Sequence, residues 1–180
     1  MAGHRAGTGG LGRGMSEPAL PLYGVDTMLF VYHFEANPQL GPAAGCILTA
    51  AEKGRCRLVT SILSLMETLV VPKRHGNEEL CRRYREFFQS FPNLEVLPLD
   101  APIAEIASEL RAVHRLRTPD ALHMATALAA RAEAFLTEDR RLRDLPGLPV
   151  LRFESTVALL EAGPRAGQPD RRSEEGSRRS

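Results

Sequence analysis

The stretch TPDALHMATALAARAEAFL, residues 118–136, predicts a helix that leads directly into a buried strand. Pro119 suits the first turn of a helix, and the small residues after it favour helix to about Ala132. The last three residues of the stretch are all apolar, as expected for a strand that is covered on both faces. A helix followed at once by such a strand is the unit from which parallel α/β sheets are built.

The same alternation of short apolar strands and helices extends to both sides of this stretch. Further strands are predicted at 22–25, 57–60, 94–97 and 148–151, and further helices at 27–34, 42–53, 61–72, 77–90, 100–114 and 139–145, with a last helix from residue 155. Ser61, Asp100 and Ser155 are candidate N-terminal caps. Five strands joined by helical crossovers predict an α/β fold, a three-layer α/β/α sandwich with a mainly parallel five-stranded sheet.

The alternating pattern covers residues 21–162, which we predict to form one domain. The glycine-rich residues 1–20 and the polar residues 163–180 are expected to be a disordered leader and a disordered tail. No apolar run approaches the ~20 residues that span a bilayer, so no membrane association is expected. Three cysteines fit no zinc spacing, and we interpret them as reduced thiols of a cytoplasmic protein: they are Cys46, Cys56 and Cys81.

The charge distribution gives no support for a broad nucleic-acid-binding surface. Between residues 20 and 162 there are 16 lysines and arginines against 18 aspartates and glutamates, so the predicted domain is slightly acidic. Nucleic-acid binders usually carry a basic patch instead. Function therefore has to be inferred from the positions of individual acidic residues.

Four acidic residues lie near the carboxyl ends of predicted strands, where open parallel sheets bind their ligands. They are Asp26, Glu67, Asp120 and Asp139. Asp26 follows the first strand directly, and Asp139 follows the fourth by three residues. Asp120 lies in the first turn of its helix, and Glu67 lies about two turns into the helix after the second strand. Each of the three aspartates has a structural alternative, because an aspartate also stabilises the N-terminal end of a helix.

Glu67 is harder to explain as a surface residue, because apolar residues flank it: Leu63, Met66, Val70 and Val71. A carboxylate in such surroundings needs a partner. Carboxylates that lie together repel each other, and a divalent cation removes that repulsion. A site made of oxygen ligands favours Mg²⁺ or Mn²⁺, which suits phosphoryl transfer.

Four blocks of the sequence resemble PIN domains, and most of all the VapC toxins of bacterial toxin–antitoxin pairs. They are VDT at 25–27, SLME at 64–67, RTPDALHMATA at 117–127 and LTED at 136–139. The third block is the most specific, and the resemblance covers roughly residues 21–160. It implies a catalytic quartet of Asp26, Glu67, Asp120 and Asp139, with metal held by Asp26, Asp120 and Asp139 and the site oriented by Thr137.

The resemblance also implies an activity and partners. The expected activity is that of an endoribonuclease dependent on Mg²⁺ or Mn²⁺, with water as the nucleophile. The expected partners are an RNA substrate, a small antitoxin protein and a second copy of the chain in a homodimer. The sequence departs from the family at Met28 and Glu138, where asparagine is common; Met28 removes a polar group near Asp26, and Glu138 adds a negative charge.

Several basic and apolar residues near the predicted crevice have two interpretations. Lys73, Arg74 and Arg140 are candidates for RNA binding at its rim, whereas we interpret the arginines at 82, 83 and 85 as a solvated helix face. His123 is interpreted as a half-buried helix histidine with a local hydrogen bond. Apolar residues at 69–71 and in the helix 77–90, if exposed, would form a groove for a partner helix.

Two alternatives to a nuclease remain open at this point. The chain could be a PIN-like module that binds RNA or protein without cutting it. A phosphatase of the haloacid-dehalogenase type also has an aspartate after its first strand, but it needs a second aspartate two residues later, where Met28 stands.

Overall fold

A five-stranded sheet forms the centre of the computed structural model, which describes residues 19–162. The strands are β1 (Leu22–Val25), β2 (Arg57–Ser61), β3 (Leu94–Leu97), β4 (Ala134–Leu136) and β5 (Val150–Leu151). The helices are α1 (Thr27–Phe34), α2 (Gly41–Glu52), α3 (Leu63–Arg74), α4 (Glu78–Ser90), α5 (Ala101–His114), α6 (Thr118–Ala129) and α7 (Phe153–Glu161). The predicted tail, and the predicted leader up to residue 18, lie outside the described residues.

The strand order β3-β2-β1-β4-β5 places β1 at the centre, and every pairing in this sheet is parallel. The chain first builds outward from β1 to β2 and β3. The helices α5 and α6 then carry it back to β4, on the other side of β1. The carboxyl ends of β1 and β4 are therefore adjacent at the point where the strand order reverses, which is where open α/β sheets bind ligands.

Helices cover both faces of the sheet, which confirms the predicted three-layer α/β/α sandwich. Neighbouring residues of a strand point to opposite faces. Leu58 packs in the hydrophobic cluster that contains residues of α1, α2 and α7, whereas Val59 packs in the cluster built from α5 and α6. The central strands β1, β2 and β4 are largely buried between the two helical layers, whereas β3 and β5 at the edges are only partly buried.

The helix α6 lies against β1 at unusually short range. Gly24 of β1 is buried, and a Cβ atom added there would overlap the Cβ of Ala127 and lie 3.0 Å from a ring carbon of Phe135. Glycine at this position thus allows the helix to approach the strand. Because Asp26 follows β1 and Asp120 begins α6, this contact also sets the distance between the two acidic residues.

The structure corrects the prediction of a helix at 139–145. The chain makes a turn there, in which Leu142 N donates to Asp139 O across 3.1 Å, and then runs without regular structure to an isolated bridge between Leu145 and Leu148. Leu142, Leu145 and Leu148 are all buried, so the segment covers the core along an irregular path and does not form a helix. As a result β5 is shorter than predicted and begins at Val150.

Two predicted helix ends are also corrected. The helix α3 continues through Pro72 to Arg74, because a proline in the last turn removes only one hydrogen bond from the helix. Ser155 does not cap α7, which begins two residues earlier; Phe153 N donates instead to Oε1 of Glu138 across 2.7 Å. Asp100 caps α5 as predicted. Ser61 is not the N-cap of α3, which is Ile62, although Ser61 Oγ accepts a hydrogen bond from Leu63 N.

The three cysteines are unpaired, and Cys56 and Cys81 are buried. Across residues 19–162 the longest and most apolar helices fall short of what a membrane crossing requires.

Candidate active site

Asp26 lies at the carboxyl end of the central strand and caps α1. Its Oδ1 accepts from Met28 N across 3.0 Å, and its Oδ2 accepts from the hydroxyl of Thr137, at the end of the neighbouring strand β4. Burial raises the pKa of the carboxyl group to about 6, although the bond from Thr137 partly opposes that shift. Asp26 is therefore a charge held in a poorly solvated place without an ion-pair partner among residues 19–162.

Thr137 connects Asp26 to Asp139, because its Oγ1 also accepts from Asp139 N across 3.0 Å. Arg152 binds the backbone of the loop that contains Thr137 and Asp139. Its Nη1 donates to the carbonyl oxygens of Thr137 and Asp139, at 2.7 and 3.0 Å. Sequence reasoning did not find this arginine, since it follows β5 and carries no motif.

Asp120 lies in the first turn of α6 and is partly buried. Burial raises the pKa of its carboxyl group, and the negative charge of Asp139 raises it further, while Arg141 and Arg117 lower it. Because the charge of Asp139 acts on the pKa of Asp120, the two residues lie in the same region of the molecule. The acids that follow β1, that begin α6 and that follow β4 are thus brought to one edge of the sheet.

Asp139 differs from Asp26 and Asp120, because it already has a cation. Nε of Arg141 lies 2.9 and 3.0 Å from the two carboxylate oxygens, and the backbone N of Arg141 donates to Oδ1 across 2.9 Å. The Arg141 guanidinium lowers the pKa of Asp139 to about 2. A metal ion that used Asp139 as a ligand would have to replace this guanidinium.

Glu67 lies in the second turn of α3 and interacts with Thr27 and His123. Its Oε2 accepts from the Thr27 hydroxyl and lies 3.4 Å from His123 Nε2. The hydrogen bond with His123 lowers the pKa of Glu67, against the effect of burial. The apolar neighbours in sequence do not surround it, because Met66, Val70 and Val71 are exposed. Glu67 thus has hydrogen-bonding partners, as expected. They are Thr27 and His123, and the apolar surroundings from which the need for a partner was predicted are not present.

The prediction for His123 is wrong. Its imidazole makes no local hydrogen bond and instead contacts Glu67 and Thr27, which are distant in sequence. The signal that could have revealed it is its spacing from Asp120, since residues three apart in a helix share a face. His123 is therefore a residue of the candidate site that the sequence had indicated only as a half-buried helix histidine.

The candidate RNA-binding residues lie at different distances from the acidic cluster, which consists of Asp26, Asp120 and Asp139. Lys73 and Arg74 are exposed at the far end of α3, beyond Glu67, and Arg140 is exposed next to Asp139. Arg117 and Arg141, which are not among these three candidates, act on the pKa of both Asp120 and Asp139. On α4, Arg82 is paired with Glu79 and Glu86, and Arg85 lies 4.0 Å from Glu78.

The acidic residues Asp26, Asp120 and Asp139 are the candidate ligands of a divalent cation. Within residues 19–162, no group of three or more His, Cys, Asp or Glu side chains is arranged closely enough to enclose a metal ion. Mg²⁺, however, usually binds to one or two carboxylates together with water and substrate phosphates. Asp26 and Asp120 offer oxygen ligands whose pKa values are raised chiefly by burial. These two residues fit such an ion.

A five-stranded parallel sheet between two layers of helices is the fold of a PIN domain. The model of the PIN domain family matches residues 23–148, so the chain belongs to that family. No curated protein sequence matches the chain.

Several solved structures have a similar fold. One is a toxin–antitoxin complex from Klebsiella pneumoniae, 24% identical over 71% of this chain and 94% of that chain, with a TM-score of 0.52. Another is VapBC2 from Rickettsia felis bound to a DNA fragment from its promoter, 20% identical over 73% and 98%, with a TM-score of 0.58. A third is the sarcin–ricin loop cleaving toxin VapC20 of Mycobacterium tuberculosis, 18% identical over 63% and 86%, with a TM-score of 0.52.

Proposed function

We propose that this chain is an endoribonuclease dependent on Mg²⁺ or Mn²⁺ and the toxin of a type II toxin–antitoxin pair. The observation that carries the proposal is the pair of partly buried carboxylates, Asp26 and Asp120, whose raised pKa values call for a nearby cation. Membership of the PIN domain family supports it. So does the similar fold of a toxin that cleaves the sarcin–ricin loop, which is RNA.

In this proposal each site residue has a separate task. Asp26 and Asp120 hold the cation, with Asp139 joining them when Arg141 is displaced. The bound ion would supply a Lewis acid that lowers the pKa of water and stabilises charge on the phosphate. Thr137 keeps the carboxylate of Asp26 in place. Glu67 accepts a hydrogen bond from the attacking water.

Substrate binding is assigned to arginines at the rim. Arg117 and Arg141 lie next to Asp120 and Asp139, within range to shift their pKa values, and both are exposed. Their guanidinium groups can bind phosphate with two parallel hydrogen bonds. Lys73, Arg74 and Arg140 would extend this surface along the RNA. Because the domain as a whole is slightly acidic, these few residues carry most of the electrostatic attraction.

Cleavage of labelled RNA tests the nuclease. The wild type is expected to cut in Mg²⁺ or Mn²⁺ and to stop in EDTA. Asp120→Asn is expected to lower kcat/KM by about 10³-fold, since it removes a metal ligand. Asp100→Asn is the matched control, because asparagine caps a helix as well as aspartate does. Cleavage that survives both EDTA and Asp120→Asn would refute the mechanism.

The alternative function, a PIN-like module that binds without cutting, is distinguished by metal binding. Calorimetry with Mn²⁺ is expected to show binding that Asp120→Asn weakens. No heat of binding at millimolar Mn²⁺ would favour the module.

The antitoxin partner is proposed to bind in a groove beside the acidic cluster. Residues of α1, α3 and α4 line a groove of about 400 Å³ that has Glu67 on its wall. Its apolar residues include Val31, Phe34, Val71 and Leu80. An amphipathic helix from a partner would bury these residues and cover the catalytic edge at the same time. The two structural neighbours described above whose names include VapB or an antitoxin support this choice of partner.

Co-expression tests the groove, with the small protein encoded next to this gene as the probe. The two proteins are expected to purify together. Val71→Glu should weaken that association about tenfold or more, because it places a charge on buried apolar surface. Val113→Glu is the matched control on α5, where the same side chain is exposed away from the groove. Association that is indifferent to Val71→Glu would refute the groove, and the absence of a neighbouring short gene would count against the toxin.

We also propose that the chain forms a homodimer, as the family resemblance implies. Ile62, Met66 and Val70 are exposed at a spacing of four residues along α3, so they form an apolar stripe on one face of that helix. This stripe is separate from the wall of the groove and is a suitable surface for a second copy of the chain.

A further inference from the structure

His123 lies on α6 one turn beyond Asp120, and only 5% of the residue is exposed. Its Nε2 atom lies 3.4 Å from Oε2 of Glu67 and 3.3 Å from Oγ1 of Thr27. These contacts join α6 to α3 and α1. The imidazole therefore meets the carboxylate of a predicted catalytic residue from its buried side.

The hydroxyl groups around Glu67 form a chain whose protons can be assigned. Thr60 Oγ1 donates to the carbonyl oxygen of Val25 across 2.9 Å, so Ser64 Oγ donates to Thr60 across 2.7 Å. Thr27 Oγ1 has one proton, for which Ser64 Oγ at 3.2 Å competes with the carboxylate of Glu67. The charged acceptor makes the stronger bond, so Thr27 donates to Glu67.

The position of the ring proton of His123 follows from its second nitrogen. Nδ1 is buried and has no hydrogen-bond partner among the described residues. A buried N–H group without an acceptor is rarer in proteins than a buried acceptor without a donor. The proton of the neutral ring therefore belongs on Nε2, where Glu67 Oε2 and Thr27 Oγ1 can both accept it.

We propose that His123 is a positioning residue that fixes the carboxylate of Glu67 at the edge of the acidic cluster. Thr27 and His123 both use Oε2, whereas Oε1 has no hydrogen bond within residues 19–162. In this arrangement Oε1 of Glu67 is the free acceptor for water or for a substrate hydroxyl, while the metal is assigned to Asp26 and Asp120. This inference rests on the nuclease function proposed above, and it separates the task of Glu67 from that of Asp26 and Asp120.

Two variants distinguish positioning from packing. His123→Gln keeps an N–H donor near the place of Nε2, whereas His123→Met fills similar space without a donor. His123→Met is expected to lower kcat for RNA cleavage about 10- to 100-fold, the effect typical of removing a group that orients a site residue. KM and the affinity for Mn²⁺ should stay within about twofold, and His123→Gln should recover most of kcat. A folded His123→Met protein with wild-type kcat, or one that loses Mn²⁺ affinity instead, overturns the proposal.

Two further measurements need no RNA. Nitrogen chemical shifts of the imidazole report which ring nitrogen is protonated, and Nε2–H is expected; a proton on Nδ1 overturns the assignment. The unfolding free energies of His123→Met, Glu67→Gln and the double variant should be non-additive, and strict additivity would mean that the contact is absent. If the wild type cleaves no RNA, the nuclease function fails, while these two measurements still decide whether His123 holds Glu67.

Discussion

Asp26→Asn is expected to lower RNA cleavage by about 10³-fold or more and, at the same time, to make the metal-free protein more stable at neutral pH. The activity falls because the substitution removes a proposed metal ligand. The stability rises because Asp26 is a carboxylate that burial disfavours in its charged form. An amide of the same shape carries no charge and can still accept the bond from Met28 N.

The direction of the pH dependence follows from the pKa of Asp26, which folding raises from 3.8 to about 6. Below 3.8 the carboxyl group is protonated in both states, so the wild type suffers no penalty relative to Asp26→Asn. As the pH rises from there to about 6, the unfolded chain releases its proton first and the wild type loses stability. Above that range the difference reaches its full value, about 3 kcal/mol in favour of the variant.

Urea denaturation in EDTA at several pH values measures this difference. Adding Mn²⁺ should raise the stability of the wild type and leave Asp26→Asn nearly unchanged, because only the wild type binds the ion well. A variant that is less stable than the wild type at neutral pH in EDTA would contradict the proposed state of Asp26. A variant that is equally stabilised by Mn²⁺ would contradict its role as a ligand.

Gly24→Ala is expected to destabilise the protein by about 3 kcal/mol, since overpacking of a rigid core has effects of that size. The added Cβ would overlap Ala127 of α6 and press on the ring of Phe135. The helix could move away only by widening the gap between β1 and α6. That movement would also separate Asp120 from Asp26, so cleavage should fall further than stability alone explains.

Removing the opposing methyl group supplies the control for Gly24→Ala. Ala127→Gly alone should be destabilising by about 1 kcal/mol, as glycine within a helix generally is. Added to Gly24→Ala, it should restore part of the lost stability and not subtract from it. Unfolding curves in urea give all three values. Additive losses in the double variant would show that Ala127 is not what makes glycine necessary.

Much of the fold could be predicted because the deciding interactions are repeated along the chain. The central strands β1, β2 and β4 are largely buried, and their apolar residues identify them directly, whereas the edge strand β3 is only partly buried. The same periodicity located Asp26 and Asp120, whose positions follow from where a strand ends and a helix begins. The 139–145 segment was misread because its leucines at 142, 145 and 148 suit a helix as well as an extended cover over the core.

The partners of the acidic residues could not be predicted, since they depend on contacts between distant elements. Nothing in the spacing of Glu67 indicates that Thr27 and His123 meet it from two other helices. The pairing of Asp139 with Arg141 depends on a local turn in place of the helix that the sequence suggested. The sequence shows the added negative charge of Glu138, but not that its carboxylate accepts a hydrogen bond from Phe153 N at the start of α7.

The ties made by Arg152 and Glu138 bear on how the site is completed during synthesis. Arg152 holds the carbonyl groups of the loop that presents Thr137 and Asp139, and Glu138 of that loop holds the beginning of α7. All four acidic residues of the candidate site, including Glu67, precede these contacts in the chain. Any N-terminal fragment that stops before residue 152 therefore contains every acid of the cluster but neither tie. A nascent chain still on the ribosome would carry the acidic side chains without the hydrogen bonds that fix their loop. Only the complete domain contains these hydrogen bonds.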